Sequence, residues 1–305
     1  MAAPTLPGRG VPRAGVPADP PPEGSPGAAG RGPAIGVDRT LRVTGTAVRV
    51  NVRAARPTAG REGVGPQAPL VLVNGIGASL ELFDPLVEVL DPEREVIRFD
   101  VPGIGGSPLP WAPLPMSALA ALLGEVLDQL GHRSVDLLGF SWGGGIAQQF
   151  ALQYPHRVRR LALVSTGTGA MMVPARLGVL AKMLTPRRYN DRSWRRESGA
   201  EIYVGEQQAE VDAVFSRAQA VQPAGYLYQL LALATWTSLP VLGFIQAPTL
   251  VLAGRRDPVI PVVNVHIMGM MLPRATVHLH EGGHLGLLTR PRELGAVLEE
   301  FLDRA

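Results

Sequence analysis

The stretch Val135-Asp136-Leu137-Leu138-Gly139-Phe140-Ser141-Trp142-Gly143-Gly144-Gly145 decides the fold. Residues 135–138 are a short apolar run of the kind that forms a buried strand, and residues 142–154 carry helical spacing. Between them lies G-x-S-x-G, a strand-to-helix turn sharp enough to expose a serine Oγ at the top of a sheet. Such a turn strains the backbone, so its neighbours must be small; Gly139, Gly143, Gly144 and Gly145 supply the room. The helix that follows aims its free N–H groups and positive dipole end at Ser141. A glycine-rich turn with an incidental serine is the plainer alternative, and the flanking strand and helix weigh against it.

Working outward, short apolar runs recur at residues 70–73, 96–99, 161–164, 249–252 and 276–280. Helical patterns at 80–90, 116–130, 142–154 and 292–302 separate or follow them. Continuous apolar strands alternating with helices predict an α/β chain: a doubly wound, mostly parallel sheet covered on both faces. Residues 41–52 alternate instead, with Thr44-Gly45-Thr46 as a turn, and predict an antiparallel hairpin. The rhythm breaks between Thr166 and Gln246, where helical patterns at 177–184, 206–220 and 226–235 follow one another with no strand between. The expected organisation is a Pro/Gly-rich tail over 1–37, a core over 38–166 and 247–305, and a helical cap over 167–246. A cap inserted there would lie over the carboxyl ends of the strands, where ligands bind in open α/β sheets.

A serine nucleophile needs a base, an acid and an oxyanion site. Of the six histidines, His132 and His156 lie in helix-to-strand connections at the wrong end of the sheet. His266 falls in a helical stretch, and His278 and His280 fall within the last strand. His284, in Glu281-Gly282-Gly283-His284-Leu285, follows that strand and completes the chain order Ser…Asp…His. Asp257, in Gly254-Arg255-Arg256-Asp257-Pro258 after the penultimate strand, is the expected acid, fixing the imidazole tautomer. The oxyanion donors are expected to be the N–H groups of Trp142, next to the nucleophile, and of Ile76 in Asn74-Gly75-Ile76-Gly77. Asp100 precedes the serine in the chain and reads as a turn-stabilising group.

Composition narrows the classes. The 305 residues are 46% hydrophobic with a formal charge of +3. Basic residues form no long run, which argues against nucleic acid as a partner. No apolar run approaches a membrane span. Zero cysteines exclude disulfides, thiol catalysis and Cys-based metal sites. The first 35 residues hold 16 Pro or Gly and no apolar h-region; they are expected to be disordered and not a secretory signal, so the default compartment is the cytoplasm.

Ser141, Asp257 and His284 in this strand context resemble the α/β-hydrolase superfamily over roughly residues 40–305. Fuller motifs are similar to the intracellular depolymerases of medium-chain-length poly(3-hydroxyalkanoate). They are Val73-Asn74-Gly75-Ile76-Gly77-Ala78, Phe99-Asp100-Val101-Pro102-Gly103-Ile104-Gly105-Gly106-Ser107 and Ser141-Trp142-Gly143-Gly144 with Ala147-Gln148-Gln149-Phe150-Ala151. Cap segments join them: Met172-Val173-Pro174, Thr185-Pro186-Arg187-Arg188-Tyr189 and Trp236-Thr237-Ser238. Gly282 stands where that family tends to carry an acidic residue, and the tail is a departure.

The resemblance implies an ester hydrolase with no metal or organic cofactor, a polyester or other ester substrate, and association with a granule surface. Met171, Met172, Trp236 and Leu285 are the apolar residues expected to hold alkyl side chains, with core packing as the alternative for each. Rival readings are a carboxylesterase or lipase with the same triad, a C–C bond hydrolase or cofactor-free perhydrolase, and a non-catalytic ligand- or granule-binding protein.

Overall fold

The structure is a computed structural model in which residues 1, 35–56 and 67–304 are described. The expected tail over 1–37 therefore lies almost wholly outside the described residues. Its inner boundary is shifted, because strand β1 (Val37–Val43) already begins at Val37. The Ile35 carbonyl also accepts from Arg98 Nη2 at 2.7 Å.

Strand β1 and β2 (Thr46–Arg53) form the expected hairpin. Its turn is the two residues Thr44 and Gly45, with φ of 47° and 79°. Positive φ at both positions matches the right-handed strand twist and favours glycine. Six further strands follow: β3 (Leu70–Val73), β4 (Val96–Phe99), β5 (Val135–Phe140), β6 (Val158–Val164), β7 (Thr249–Gly254) and β8 (Ala275–His280). Their order across the sheet is β1-β2-β4-β3-β5-β6-β7-β8. Among the described strands only β2 runs against the rest, pairing antiparallel with β1 and β4; every other pair is parallel. The chain thus winds outward from β3 in both directions, and the strands' carboxyl ends converge on one edge.

Apolar residues on successive strand positions face opposite sides. Val71, Val73 and Leu137 join a core with Leu123 and Phe150 of the helices Met116–Leu130 and Gly143–Gln153. Leu70, Leu72 and Leu138 join a second core with Leu86, Leu298 and Phe301, the last two from the helix Pro291–Asp303. Two-sided burial of this kind makes the central strands largely apolar, and two charges they do bury, Arg98 of β4 and Asp136 of β5, are ion-paired.

The helix Met116–Leu130 spans the residues its periodicity predicts and ends on Gly131 at φ 82°. The stretch 80–90, expected as one helix, is instead a 3₁₀ turn Leu80–Phe83 followed by a short helix Asp84–Val87. Pro85 lacks the N–H that would bond back to residue 81, so the helix restarts around it.

Residues between β6 and β7 form a helical insertion: Leu177–Met183, Arg187–Asn190, Arg192–Ile202, Gln208–Arg217 and Pro223–Ala234, with a 3₁₀ turn Leu239–Phe244. Its two ends are tied by the antiparallel bridge Gly169↔Thr237. Its backbone and side chains reach the loops after β3 and β8. Gln219 N–H donates to Ser79 Oγ at 3.0 Å, and Glu206 Oε1 accepts from Gly283 N–H at 2.9 Å. Among the described residues no helix is long and apolar enough to cross a membrane.

Candidate active site

Strand β5 ends at Phe140, and the next residue turns the chain. Ser141 has φ 51°, one of three positive-φ non-glycine residues among those described. A Cβ on Gly143 would lie 2.3 Å from the Val73 carbonyl oxygen, and one on Gly144 would lie 2.2 Å from Thr166 Oγ1. The small residues around the serine are therefore demanded by close packing, against the backbone at the end of β3 at Gly143 and against the Thr166 side chain at Gly144. The turn is held from outside as well. Ser141 N–H donates to the Val164 carbonyl at 2.9 Å, and Thr166 Oγ1 donates to the Ser141 carbonyl at 2.6 Å.

His284, in the loop after β8, places Nε2 3.0 Å from Ser141 Oγ and Nδ1 2.8 Å from Asp257 Oδ2. The other Asp257 oxygen accepts the N–H groups of Val259 and Ile260 at 2.8 and 2.9 Å. The carboxylate side chain is fully buried, and these three hydrogen bonds hold its orientation. Phe140 lies against the imidazole at a centroid distance of 5.4 Å. An imidazole held between a buried carboxylate and a strained serine hydroxyl is arranged to accept a proton from that hydroxyl.

The Ile76 and Trp142 N–H groups belong to the two loops that flank Ser141 and make no hydrogen bond among the described residues. Both loops are clamped by the helical insertion. Gln229 Oε1 accepts from Gly77 N–H at 2.6 Å, while its own carbonyl accepts from Trp142 Nε1 at 2.8 Å. The Ile76 carbonyl accepts from Arg188 Nη2 at 3.0 Å and Tyr189 Oη at 2.8 Å. Asp100 braces the same loop from below, accepting Leu80 N–H at 2.7 Å and Gly106 N–H at 2.8 Å. Burial pushes its carboxyl up to about 6 despite these donors and Arg49.

Two cavities meet at Ser141. The larger, about 450 Å³, is walled by Met172, Leu180, Met183, Leu230 and Ile260 with almost no polar surface. Leu184, Leu227 and Leu231 line it and are also solvent-exposed, so its mouth is an apolar rim. The smaller, about 20 Å³, is bounded by Ser141, His284, Leu285, Arg188 and Tyr203.

Of the residues expected to hold substrate, Met172 lines the large cavity and Leu285 the small one. Met171 is exposed and lines neither. Trp236 also lines neither; its Nε1 donates to Gln149 Oε1 at 2.7 Å, and its ring packs against the helix carrying Gly145. Tyr203, Gln229 and Glu206 touch the site or its loops without a sequence signal of their own, and Arg188 stands out in the sequence only as part of the cap segment 185–189, with no role attached. Each lies 50 or more residues from its partner in the chain, and helical spacing does not reveal which loop a cap residue will meet.

An α/β-hydrolase fold family matches residues 68–291. The chain is 40% identical to a poly(3-hydroxyalkanoate) depolymerase of Ectopseudomonas oleovorans, over 87% of this chain and 92% of that protein. It is 27% identical to a pimeloyl-[acyl-carrier protein] methyl ester esterase of Legionella pneumophila (strain Paris), over 78% of this chain and 96% of that protein. A crystal structure of a hydrolase from Pseudomonas aeruginosa PA01 superposes with a TM-score of 0.72 at 23% identity, covering 89% of this chain and all of that one.

Proposed function

This chain belongs to the α/β-hydrolase fold family, and we propose that within it the protein is a serine ester hydrolase acting on poly(3-hydroxyalkanoate) with medium-length side chains. In this reading His284 Nε2 takes the proton of Ser141 as Oγ bonds to the ester carbonyl carbon. The oxyanion rests on the Ile76 and Trp142 N–H groups. The C–O bond then breaks, the leaving 3-hydroxyl takes the proton from His284, and water releases the acyl group by the same steps in reverse order. Residues 167–246 act as the cap, and no step calls for a cofactor.

The observation that carries the substrate is the apolar cavity of about 450 Å³ opening on Ser141 through a rim of exposed leucines. That volume suits an alkyl side chain several carbons long. A rim of Leu184, Leu227 and Leu231 suits a chain delivered from a water-insoluble phase, such as the surface of a polyester granule inside the cell. Similarity to the depolymerase of Ectopseudomonas oleovorans supports the same choice.

The test is release of 3-hydroxy acids from an amorphous medium-chain polyester suspension, run beside short p-nitrophenyl esters. Polymer clearing is expected in the wild type and a fall of at least ~10⁴-fold in Ser141→Ala. Turnover of the soluble esters alone would favour a carboxylesterase, the reading that the Legionella relative supports. Turnover of neither would favour a binding protein on the same fold.

A further inference from the structure

The small pocket beside Ser141 contains two polar groups that the proposed acyl transfer does not use. Arg188 is buried, 4% exposed, and among the described residues it pairs with no carboxylate. Its Nη1 donates to Tyr226 Oη at 2.8 Å and touches Met183 Sδ at 3.4 Å; Nη2 donates to the Ile76 carbonyl. The rings of Tyr189 and Tyr226 lie 4.9 and 5.4 Å from the guanidinium carbon. All of these are neutral partners. The second group is the Tyr203 hydroxyl, buried and without a hydrogen-bond partner among the described residues. Burial holds it well above the ordinary phenol range, so it remains a donor.

Either feature alone is expensive. A buried cation needs an anion or it bears a large desolvation cost, and an unpaired buried hydroxyl forfeits its bond to water. The two tyrosine faces offset only part of the first cost. Both groups border the same pocket as Ser141 and His284, so a polar group of the substrate entering there can satisfy them.

We propose that this pocket is a carboxylate subsite, in which Arg188 and Tyr203 receive the free acid group of the substrate while Ser141 attacks the neighbouring ester. The inference rests on the ester-hydrolase reading above and deepens it. In a 3-acyloxy acid the carboxylate is separated from the ester oxygen by only two carbons. It therefore falls close to the scissile bond, as a pocket sharing Ser141 and His284 requires. The alkyl branch turns into the large apolar cavity, and the carboxylate sits against the guanidinium with the Tyr203 hydroxyl donating to it. An acid-terminated chain end is thereby preferred over an interior ester or a capped end.

Binding is tested without turnover. The full chain is titrated calorimetrically with 3-hydroxyoctanoate and with 3-hydroxyoctanamide, which has the same shape and no charge. The acid is expected to bind at least about tenfold more tightly, as charge-assisted hydrogen bonds do. Arg188→Gln is expected to remove the preference. Because Arg188 also holds the Ile76 loop, Tyr203→Phe is the cleaner probe: it deletes a hydroxyl with no partner among the described residues, keeps the melting temperature, and is expected to weaken the acid several-fold and the neutral amide less. Equal binding of acid and amide, no binding of either at millimolar concentration, or a preference that survives both substitutions overturns the subsite.

Kinetics then separate it from the function it rests on. Faster cleavage of a 3-hydroxyacyl dimer than of its methyl ester, levelled by Tyr203→Phe, supports the subsite. Equal cleavage of the two removes the subsite and leaves the ester hydrolase standing. Failure to cleave either dimer, with the acid still bound selectively, removes the polyester reading alone.

Discussion

Ser141 keeps its φ of 51° because β5 pushes into it from one side and a helix start, free of side chains, receives it on the other. That much is legible in the sequence, since only glycine tolerates a carbonyl oxygen where a Cβ would stand. Asp257 and His284 are legible for a different reason: both follow strands, and their order along the chain fixes which ends they occupy. His280 is less so. Its position inside β8 says it packs, yet not that Arg290 and Gly282 N–H would both address its Nδ1. Burial, with the charge of Arg290, depresses its pKa to about 4. In the unfolded chain a histidine titrates near ~6.5, so between the two values the unfolded state binds more protons. Stability is therefore lost as the pH falls from about 6.5 toward 4, while Asp100, raised to about 6, acts in the opposite sense. His280→Gln is expected to lose less stability than the wild type between pH 7 and pH 5, measured as the drop in melting temperature. An equal drop in both proteins would remove His280 as the source.

At the scale of elements, periodicity reads best where burial is one-sided and long. Met116–Leu130 carries Leu119, Leu123, Val126 and Leu127 on one face and ends in glycine, so its limits are visible in advance. Arg192–Ile202 carries almost no apolar face; Arg195 and Ser198 occupy its buried positions, and the pattern fails. The remaining clue there was Asp191, whose side chain caps the helix by accepting Trp194 N–H at 3.0 Å.

The insertion matters most through Pro223–Ala234, from which Gln229 holds Gly77 N–H and the Trp142 indole together. Gln229 thus ties together both loops that would receive the oxyanion, while Arg188 and Tyr189 hold the Ile76 loop as well. Gln229→Leu is expected to lower kcat about tenfold or more with KM little changed, because the donors are misplaced only for the transition state. A rise in KM with kcat intact would instead make Gln229 a substrate-binding residue.

Across the whole molecule, charge is buried as well as apolar surface. Arg94 is fully buried and pairs with Asp136 at the start of β5 at 3.1 Å and with Asp303 of the last helix. Arg159 of β6 reaches the same Asp136 at 2.5 Å. Burial raises the Asp136 carboxyl, and the arginines counter it. The network joins the segment before β4, the central strand, its neighbour and the C-terminal helix at the edge of the sheet remote from Ser141. Arg94→Met leaves Asp136 with one partner and is expected to cost ~3–5 kcal/mol in urea unfolding, as broken buried pairs do. A loss under ~1 kcal/mol would show that Arg159 suffices. None of this was legible beforehand, because residues 94, 136, 159 and 303 share no motif and meet only once the sheet has formed.

The two cavities that meet at Ser141 differ in everything but their neighbour: one is large and greasy, the other small and cationic. A carbon bearing an alkyl branch, an acid arm, a hydrogen and the ester oxygen can fill both in one handedness only. Its mirror image must press hydrocarbon against Arg188 or strand a carboxylate among leucines. With the proposed acid subsite in place, the pair of pockets would act as a chiral ruler. A racemic 3-acyloxy acid is expected to be consumed to half and then stall, with the surviving half optically pure.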